Sequence, residues 1–313
     1  MAQILIWKRV MPSVTQRAEM KSEHHKPANA MTSPIVRVLL LCLIGVATSA
    51  HAGDLLTLEP RGPIAGHERD LIVITLSLML LVVIPVFAMT TWFAWHYRAS
   101  NAEATYAPEW TSHRVDLVIW LIPTLIVAVL ATLTWDYTHR LNPYKPIAAA
   151  TAPLDVQVVA LDWKWLFIYP QQGIATVNRL VIPSGRPVTF DITSDTVMNA
   201  FFIPQLGGQI YAMAGMRTQL HLLADKPGKF FGENTQYSGR GFPYQTFTVE
   251  AKPQQGFDRW VKQQQSRHTA LNWDGFKTLA KPSVNDPVRT FGKVDAGLFD
   301  RIMAQYASDR KTS

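Results

Sequence analysis

Val188–Thr193 reads VTFDIT, with Val188, Phe190 and Ile192 alternating against Thr189, Asp191 and Thr193. Successive side chains on a strand point to opposite faces, so this stretch is a strand with one face buried and the other in water. Phe247 and Val249, set among Thr246, Thr248 and Glu250, repeat the pattern. From about Asp155, DVQVVALDW, WLFIYP, TVNRLVIP, AFFIP, QIYAM and TQLHLLAD read as further strands, separated by QQG, PSGRP, LGG, MAG and DKPGK. About eight or nine short strands in roughly 100 residues specify an all-β sandwich of Greek-key type. It is placed at 150–254.

Upstream the pattern changes. Leu71–Trp95 is uncharged over 25 residues and Leu117–Trp135 over 19, each long enough to cross ~30 Å of hydrocarbon. Pro85 and Pro123 fall inside these runs, which a bilayer tolerates where neighbouring helices re-satisfy the freed carbonyls. Trp92, Trp95, Tyr97, Trp120 and Trp135 lie toward the ends as interface anchors. The expectation is a two-helix transmembrane hairpin, 71–95 and 117–135, joined by a cytoplasmic linker at 96–116 and preceded by an outside segment at 53–70.

Arg37 followed by VLLLCLIGVATSAHA has the basic start, short apolar run and Ala-x-Ala ending of a secretory signal, cleaved after Ala52. Met31 offers a second start, so the signal spans 1–52 or begins at 31. Cys42, the one cysteine of the sequence, lies in the apolar run and leaves with it, and the leucines before it do not suit lipid attachment. The signal sets the orientation, with the mature N-terminus and everything after Asp136 outside. The Lys and Arg residues do not, since Arg98 and Arg114 flank the inner ends while Arg61, Arg69, Arg140 and Lys145 flank the outer ones. Of the formal charge of +7, residues 1–52 hold +4, and the remaining +3 is too small for a nucleic-acid-binding surface.

After Pro253 the period is helical again. Phe257, Trp260 and Val261, and then Leu298, Phe299, Ile302, Met303 and Tyr306, recur at helix spacing. A helical appendage at 255–313 should therefore pack on the sandwich or on a partner.

DWKWLFIYP, SDTVMNAFFIP, GQIYAMAGM and YSGRGF, together with WHYRASN at Trp95–Asn101, resemble subunit II of the haem-copper oxidases, and more narrowly subunit II of the bo-type ubiquinol oxidases. The resemblance runs from about Asp54 to the end and implies a cupredoxin-like fold for the sandwich. In the cytochrome c oxidase branch this domain holds two coppers on two His, two Cys, a Met and a backbone carbonyl, soft ligands suited to one-electron transfer. On that frame Asn199 falls at the first His, Asn234 and Ser238 at the two Cys, Phe242 at the second His and Gln245 at the Met. Gln236 stands where a Glu gives its carbonyl. No copper centre is expected in the loop Glu233–Gln245 (ENTQYSGRGFPYQ), which then serves to complete the sandwich.

Trp163 and Trp165 fall at the aromatic patch through which electrons enter the copper-bearing relatives, and a packing role is expected for them here. Asp116, in HRVDLVIW, corresponds to a carboxylate near the mouth of a proton path into subunit I, or is a solvated acid balanced by Arg114. Met198, Met213 and Met216 are read as core or interface residues rather than a copper site, His221 as a surface strand residue, and Gly232, Gly239 and Gly241 as turn glycines.

The resemblance implies a non-redox, non-catalytic subunit of a proton-pumping quinol oxidase in a bacterial inner membrane, with its large domain in the periplasm. Its partners would be subunits I, III and IV, membrane lipids, and ubiquinol bound by the complex, without cytochrome c or nucleic acid. Haem b, haem o and copper B would all lie in subunit I. Two alternatives remain: a copper-bearing cytochrome c oxidase subunit, against which the cysteine-free mature chain argues, and a membrane-anchored copper assembly factor, which would need a Met/His cluster.

Overall fold

The computed structural model describes residues 56–101, 104–105 and 112–306. The signal segment with Cys42, Met31 and the Ala52 cleavage site, most of the linker and the last residues lie outside the described residues. One unit comprises Asp54–Phe87 with Glu109–Ser313, and Ala88–Pro108 falls in the other.

Helix α1 runs Pro63–His96 and α2 runs His113–Arg140, so each extends beyond its apolar run at both ends. Both are long and apolar enough to cross a membrane. Pro85 and Pro123 sit inside them as expected. Thr124 and Thr132 turn their hydroxyls back to the carbonyls of Trp120 and Ala128, which hides the polar atoms on otherwise apolar helices.

The strands are β1 (Leu154–Leu161), β2 (Lys164–Tyr169), β3 (Ile174–Val177), β4 (Arg179–Pro183), β5 (Val188–Ser194), β6 (Asn199–Phe202) and β7 (Gln209–Ala212). They continue with β8 (Thr218–Leu222), β9 (Gly228–Asn234), β10 (Thr246–Lys252), β11 (Ala270–Leu271), β12 (Arg289–Phe291) and β13 (Lys293–Val294). One sheet has the order β12-β3-β2-β1-β5-β8 and the facing sheet β4-β10-β9-β6-β7. Between them lies an aromatic core in which Phe201 and Phe247 stack at 5.2 Å and Trp165 meets both edge-on. Burying a side chain of this size contributes about 1.5–3 kcal/mol.

TVNRLVIP reads as a single strand but is divided. Asn178, at φ 56°, breaks it so that β3 pairs with β2 in one sheet and β4 with β10 in the other. Left-handed backbone is accessible to Asn at modest cost, and its side chain holds the corner by accepting from Trp165 N–H at 2.9 Å and donating to Asp286 O at 2.9 Å. Gly232 is not a turn glycine: it lies within β9 opposite Phe247, and a Cβ there would fall 2.2 Å from the Phe247 ring.

Every residue of β2 is buried, because its sheet is covered on both faces at this strand, whereas β8 of the same sheet still alternates. The second cover is the C-terminal segment. Helix α3 (Gln254–Gln265) inserts Phe257, Trp260 and Val261 at the sandwich edge. Helices α4 (Trp273–Leu279) and α5 (Leu298–Ala304) set Phe276, Leu279, Leu298, Phe299 and Ile302 against Val159, Leu161, Leu166 and Ile168. Lys164, 1% exposed, reaches across to this layer and meets Asp286 at 2.9 Å, Lys281 O at 2.9 Å and the Ser283 hydroxyl. Burial acts to raise the Asp286 pKa, but the Ser283 hydroxyl, Lys164 and Arg289 outweigh it and hold the carboxyl below its ordinary range.

The start of α1 and the residue Arg61 ahead of it are fastened to the sandwich by backbone and one carboxylate. Arg61 N–H donates to Gln205 O at 2.8 Å, Asp225 N–H to Arg61 O at 2.9 Å, and Gly208 N–H to the Glu68 carboxylate at 2.9 Å. Gly207 at φ 87° permits this approach, since a Cβ would stand 2.6 Å from Ala65 N.

At the far end, α5 is tied to the β5–β6 loop. The Tyr306 hydroxyl donates to Asp195 O and, at 3.3 Å, to the Asp195 carboxylate, which Gln305 also reaches at 3.3 Å. Burial pushes the Asp195 carboxyl up to about 6, with Tyr306 and Gln305 opposing and Asp162 adding to the rise. The folded state therefore holds this proton at a pH where the unfolded chain has lost it, so its stabilising contribution fades as pH rises from about 4 through about 6. Asp195→Asn should flatten that part of the stability–pH curve and be more stable than the parent at pH 7.5, measured as thermal midpoints of the purified chain across this range.

Candidate functional site: a buried polar knot

Three elements converge at one end of the sandwich: the start of β6, the end of β9 and the loop leading to β10. β6 pairs with β9 through Phe201 and Asn234, and Asn234 N–H donates to Gln245 O at 3.1 Å, which closes the loop 235–245 on itself. Closure brings four polar side chains into the interior. Asn199 and Gln245 are fully buried, Asn234 is 4% exposed and Ser238 8%.

Asn234 is the hub. The two hydrogens of its Nδ2 are shared among Asn199 Oδ1 at 2.7 Å, Gln245 Oε1 at 2.9 Å and Ser238 Oγ at 3.1 Å. Its Oδ1 accepts from Ala200 N–H at 2.8 Å and Gln236 N–H at 3.0 Å. The Ser238 hydroxyl donates to Gln245 Oε1 at 2.9 Å, and Gln245 Nε2 donates to Leu161 O at 3.2 Å. Asn199 Nδ2 donates to Val197 O at 2.8 Å and Ser194 Oγ at 3.3 Å. No side-chain nitrogen or oxygen of these four is left unpaired, as burial requires.

Trp163 closes the knot from outside. Its Nε1 donates to Ser238 O at 2.9 Å, and its ring lies over Gly241, where a Cβ would fall 2.2 Å from it. The loop glycine is thus the floor under an indole. Trp165 does not share a surface patch with Trp163: it is fully buried in the aromatic core and donates from Nε1 to Gln245 O at 3.3 Å. Residues two apart on one strand would share a face, but β2 begins only at Lys164, so Trp163 lies in the turn after β1 and is free to point elsewhere, which the DWKW spacing does not reveal.

Of the six positions singled out from sequence, Asn199, Asn234, Ser238 and Gln245 meet through side chains, and Gln236 joins through its backbone N–H. Phe242 stays apart, in the single turn Phe242–Tyr244 with its ring 5.8 Å from Tyr237. Sequence reading missed the supports: Ser194 and the carbonyls of Val197 and Leu161. Ser194 could have been found from SDT ahead of Asn199, a local turn motif. Backbone carbonyls leave no such mark.

A dinuclear copper centre does not fit these residues. The donors are neutral amides and a hydroxyl, already committed to one another, with no thiolate or imidazole in the knot. Met198 and Met216 are surface residues, 40% and 41% exposed, rather than core. Met213 uses its carbonyl, accepting from the Thr193 hydroxyl at 3.2 Å. His221 shares a hydrogen bond with Thr189 at 3.2 Å on a half-buried strand face. Asp116 lies exposed in the first turn of α2.

Residues 154–252 match the family described as cytochrome c oxidase subunit II, periplasmic domain, and 264–309 match the COX aromatic-rich motif. The sandwich is thus the cupredoxin-like domain of an oxidase second subunit, and the C-terminal layer is the motif that covers its outer sheet. The chain is 49% identical to a cytochrome bo(3) ubiquinol oxidase subunit 2 of Pseudomonas aeruginosa over 81% of its length and 77% of the relative's. It is 50% identical to a ubiquinol oxidase subunit 2 of Acetobacter aceti, covering 87% and 89%. A quinol oxidase subunit 2 of Bacillus cereus is 39% identical, covering 74% and 80%. The chain belongs to the subunit 2 family of the bo-type ubiquinol oxidases, as a membrane-anchored member.

Truncating the hub should strand its partners. Asn234→Ala leaves the buried Ala200 N–H and Asn199 Oδ1 and the part-buried Gln236 N–H without their partner, at ~1–3 kcal/mol each before relaxation, so a loss of about 3 kcal/mol or more is expected. Urea unfolding of the purified chain followed by tryptophan fluorescence measures it.

Proposed function

We propose that this chain is the non-redox second subunit of a proton-pumping bo-type ubiquinol oxidase. In this role it stands beside subunit I, with subunits III and IV, in a bacterial inner membrane and holds its sandwich in the periplasm. Ubiquinol oxidation and dioxygen reduction would take place in subunit I, where haem b, haem o and copper B belong. The observation that carries the reading is the Asn199–Asn234–Ser238–Gln245 knot. It stands where the copper branch of the wider family would place ligands, and it offers hydrogen bonds in their stead. A domain that relays no electron keeps the loop because the loop closes the core.

The purified complex tests this directly. Oxygen consumption should run with ubiquinol and not with reduced cytochrome c, and copper analysis with a near-infrared spectrum should find no copper beyond that of subunit I. Turnover on cytochrome c with additional copper on this chain would instead establish the electron-accepting reading. Purification without haem-bearing subunits would favour an assembly factor.

Asp116 is the proposed proton-collecting group. An acid where a span meets water can take protons from bulk and pass them to a water-filled path in a neighbouring subunit. Asp116→Asn should then slow ubiquinol turnover severalfold at unchanged haem content and alter its pH profile, while Asp116→Glu retains it. Equal turnover of Asp116→Asn and parent across pH would make the residue a solvated acid only.

A further inference from the structure

Where the helical hairpin meets the sandwich, there is a recess that the proposed function does not use. It encloses about 220 Å³. Its walls are mainly apolar: Pro63 and Ile64 from α1, Pro143, Pro146 and Ile147 from the segment after α2, and Leu220 from β8. Four basic residues also line it, His67, Arg140, Lys145 and His221, and no carboxylate does. Burial lowers the His221 pKa, with Asp191 opposing. His67 directs Nδ1 to Pro63 O at 2.7 Å. Arg140 and Lys145 bring the fixed positive charge. Arg140 spends one edge on Asp136, with Nε 2.8 Å from the carboxylate, and is 62% exposed, so its fork still faces solvent.

A second recess, about 420 Å³, shares Leu141, Asn142 and Pro143 with the first. It continues between the helices along Leu71, Thr134, Tyr137 and Thr138, at the start of the apolar run of α1. A basic recess at the ends of two spans, opening into a slot between them, matches a molecule with an anionic head and a hydrocarbon tail.

We propose that the two recesses form a binding site for one anionic glycerophospholipid of the sandwich-side leaflet, its phosphate against Arg140 and Lys145 and an acyl chain in the slot beside Leu71. Free phosphate would meet the same cations. It would gain nothing from the apolar walls or the slot, both of which need a lipid. The site rests on the membrane reading of the hairpin and not on the oxidase reading.

The test uses the full-length chain, alone or in the complex with which it purifies, in nanodiscs of phosphatidylcholine doped with phosphatidylglycerol. Native mass spectrometry after detergent release reads the lipid retained. Phosphatidylglycerol should be retained in preference to phosphatidylcholine and survive a large excess of inorganic phosphate. Arg140→Gln with Lys145→Gln should weaken retention roughly 30-fold, from about one kcal/mol per basic residue. The charge-conserving pair Arg140→Lys with Lys145→Arg should keep it. Equal retention of both lipids, equal retention by the neutralised pair, or displacement by inorganic phosphate would each overturn the proposal. If the neutralised pair does not fold, lipid preference and phosphate competition on the parent chain decide alone. Failure to purify with haem subunits would strike the oxidase reading and leave this measurement standing.

Discussion

Polar side chains drawn into an interior must satisfy one another, and the end of this sandwich is organised around that constraint. Asn234 meets it with a single side chain. One amide oxygen takes the N–H groups of Ala200 and Gln236, and one amide nitrogen reaches Asn199, Ser238 and Gln245. Gln245 carries the linkage on to Leu161 O, in the facing sheet, so the knot pins the two sheets together at one end. The Trp163 indole rests on the loop so formed and the Trp165 indole hangs from its carbonyl. This end of the scaffold is kept by hydrogen bonds, and a half-satisfied version would be worse than an apolar core.

The C-terminal layer has a similar logic with charge. A sheet buried on both faces leaves Lys164 no route to water, so its ammonium needs an anion and acceptors in the layer that covers it. Asp286, Ser283 and the Lys281 carbonyl supply them. Breaking such a pair leaves a buried charge, which makes the layer an integral cover rather than an appended tail. Arg301 over the Trp273 ring at 4.2 Å adds a contact within the cover.

Much of this was legible beforehand. The period of two in VTFDIT, the uncharged runs at 71–95 and 117–135 and the helical spacing of Phe257, Trp260 and Val261 each report a local rule, and local rules act on neighbours in sequence. The convergence of Asn199, Asn234, Ser238 and Gln245 was legible only through family resemblance, since hydrogen bonds spanning 35 or 11 residues leave no periodic trace. The corner at Asn178, the strand role of Gly232 and the burial of Trp165 were not legible, because each depends on which sheet a segment joins.

The sequence by itself determined the order of parts: two apolar spans, a sandwich of short strands, a helical cover, and a loop of thiolate-free, imidazole-free chemistry. Residue type and spacing set hydropathy, period and donor chemistry without reference to anything distant. Only the tertiary structure decided that β3 and β4 serve different sheets, that Lys164 finds Asp286 across 122 positions of chain, and that Arg140 and Lys145 face one recess with Leu220 and Pro63. Those are matters of which surfaces meet, and they are settled by burying apolar area while leaving no polar group unpaired, a condition on the whole chain at once.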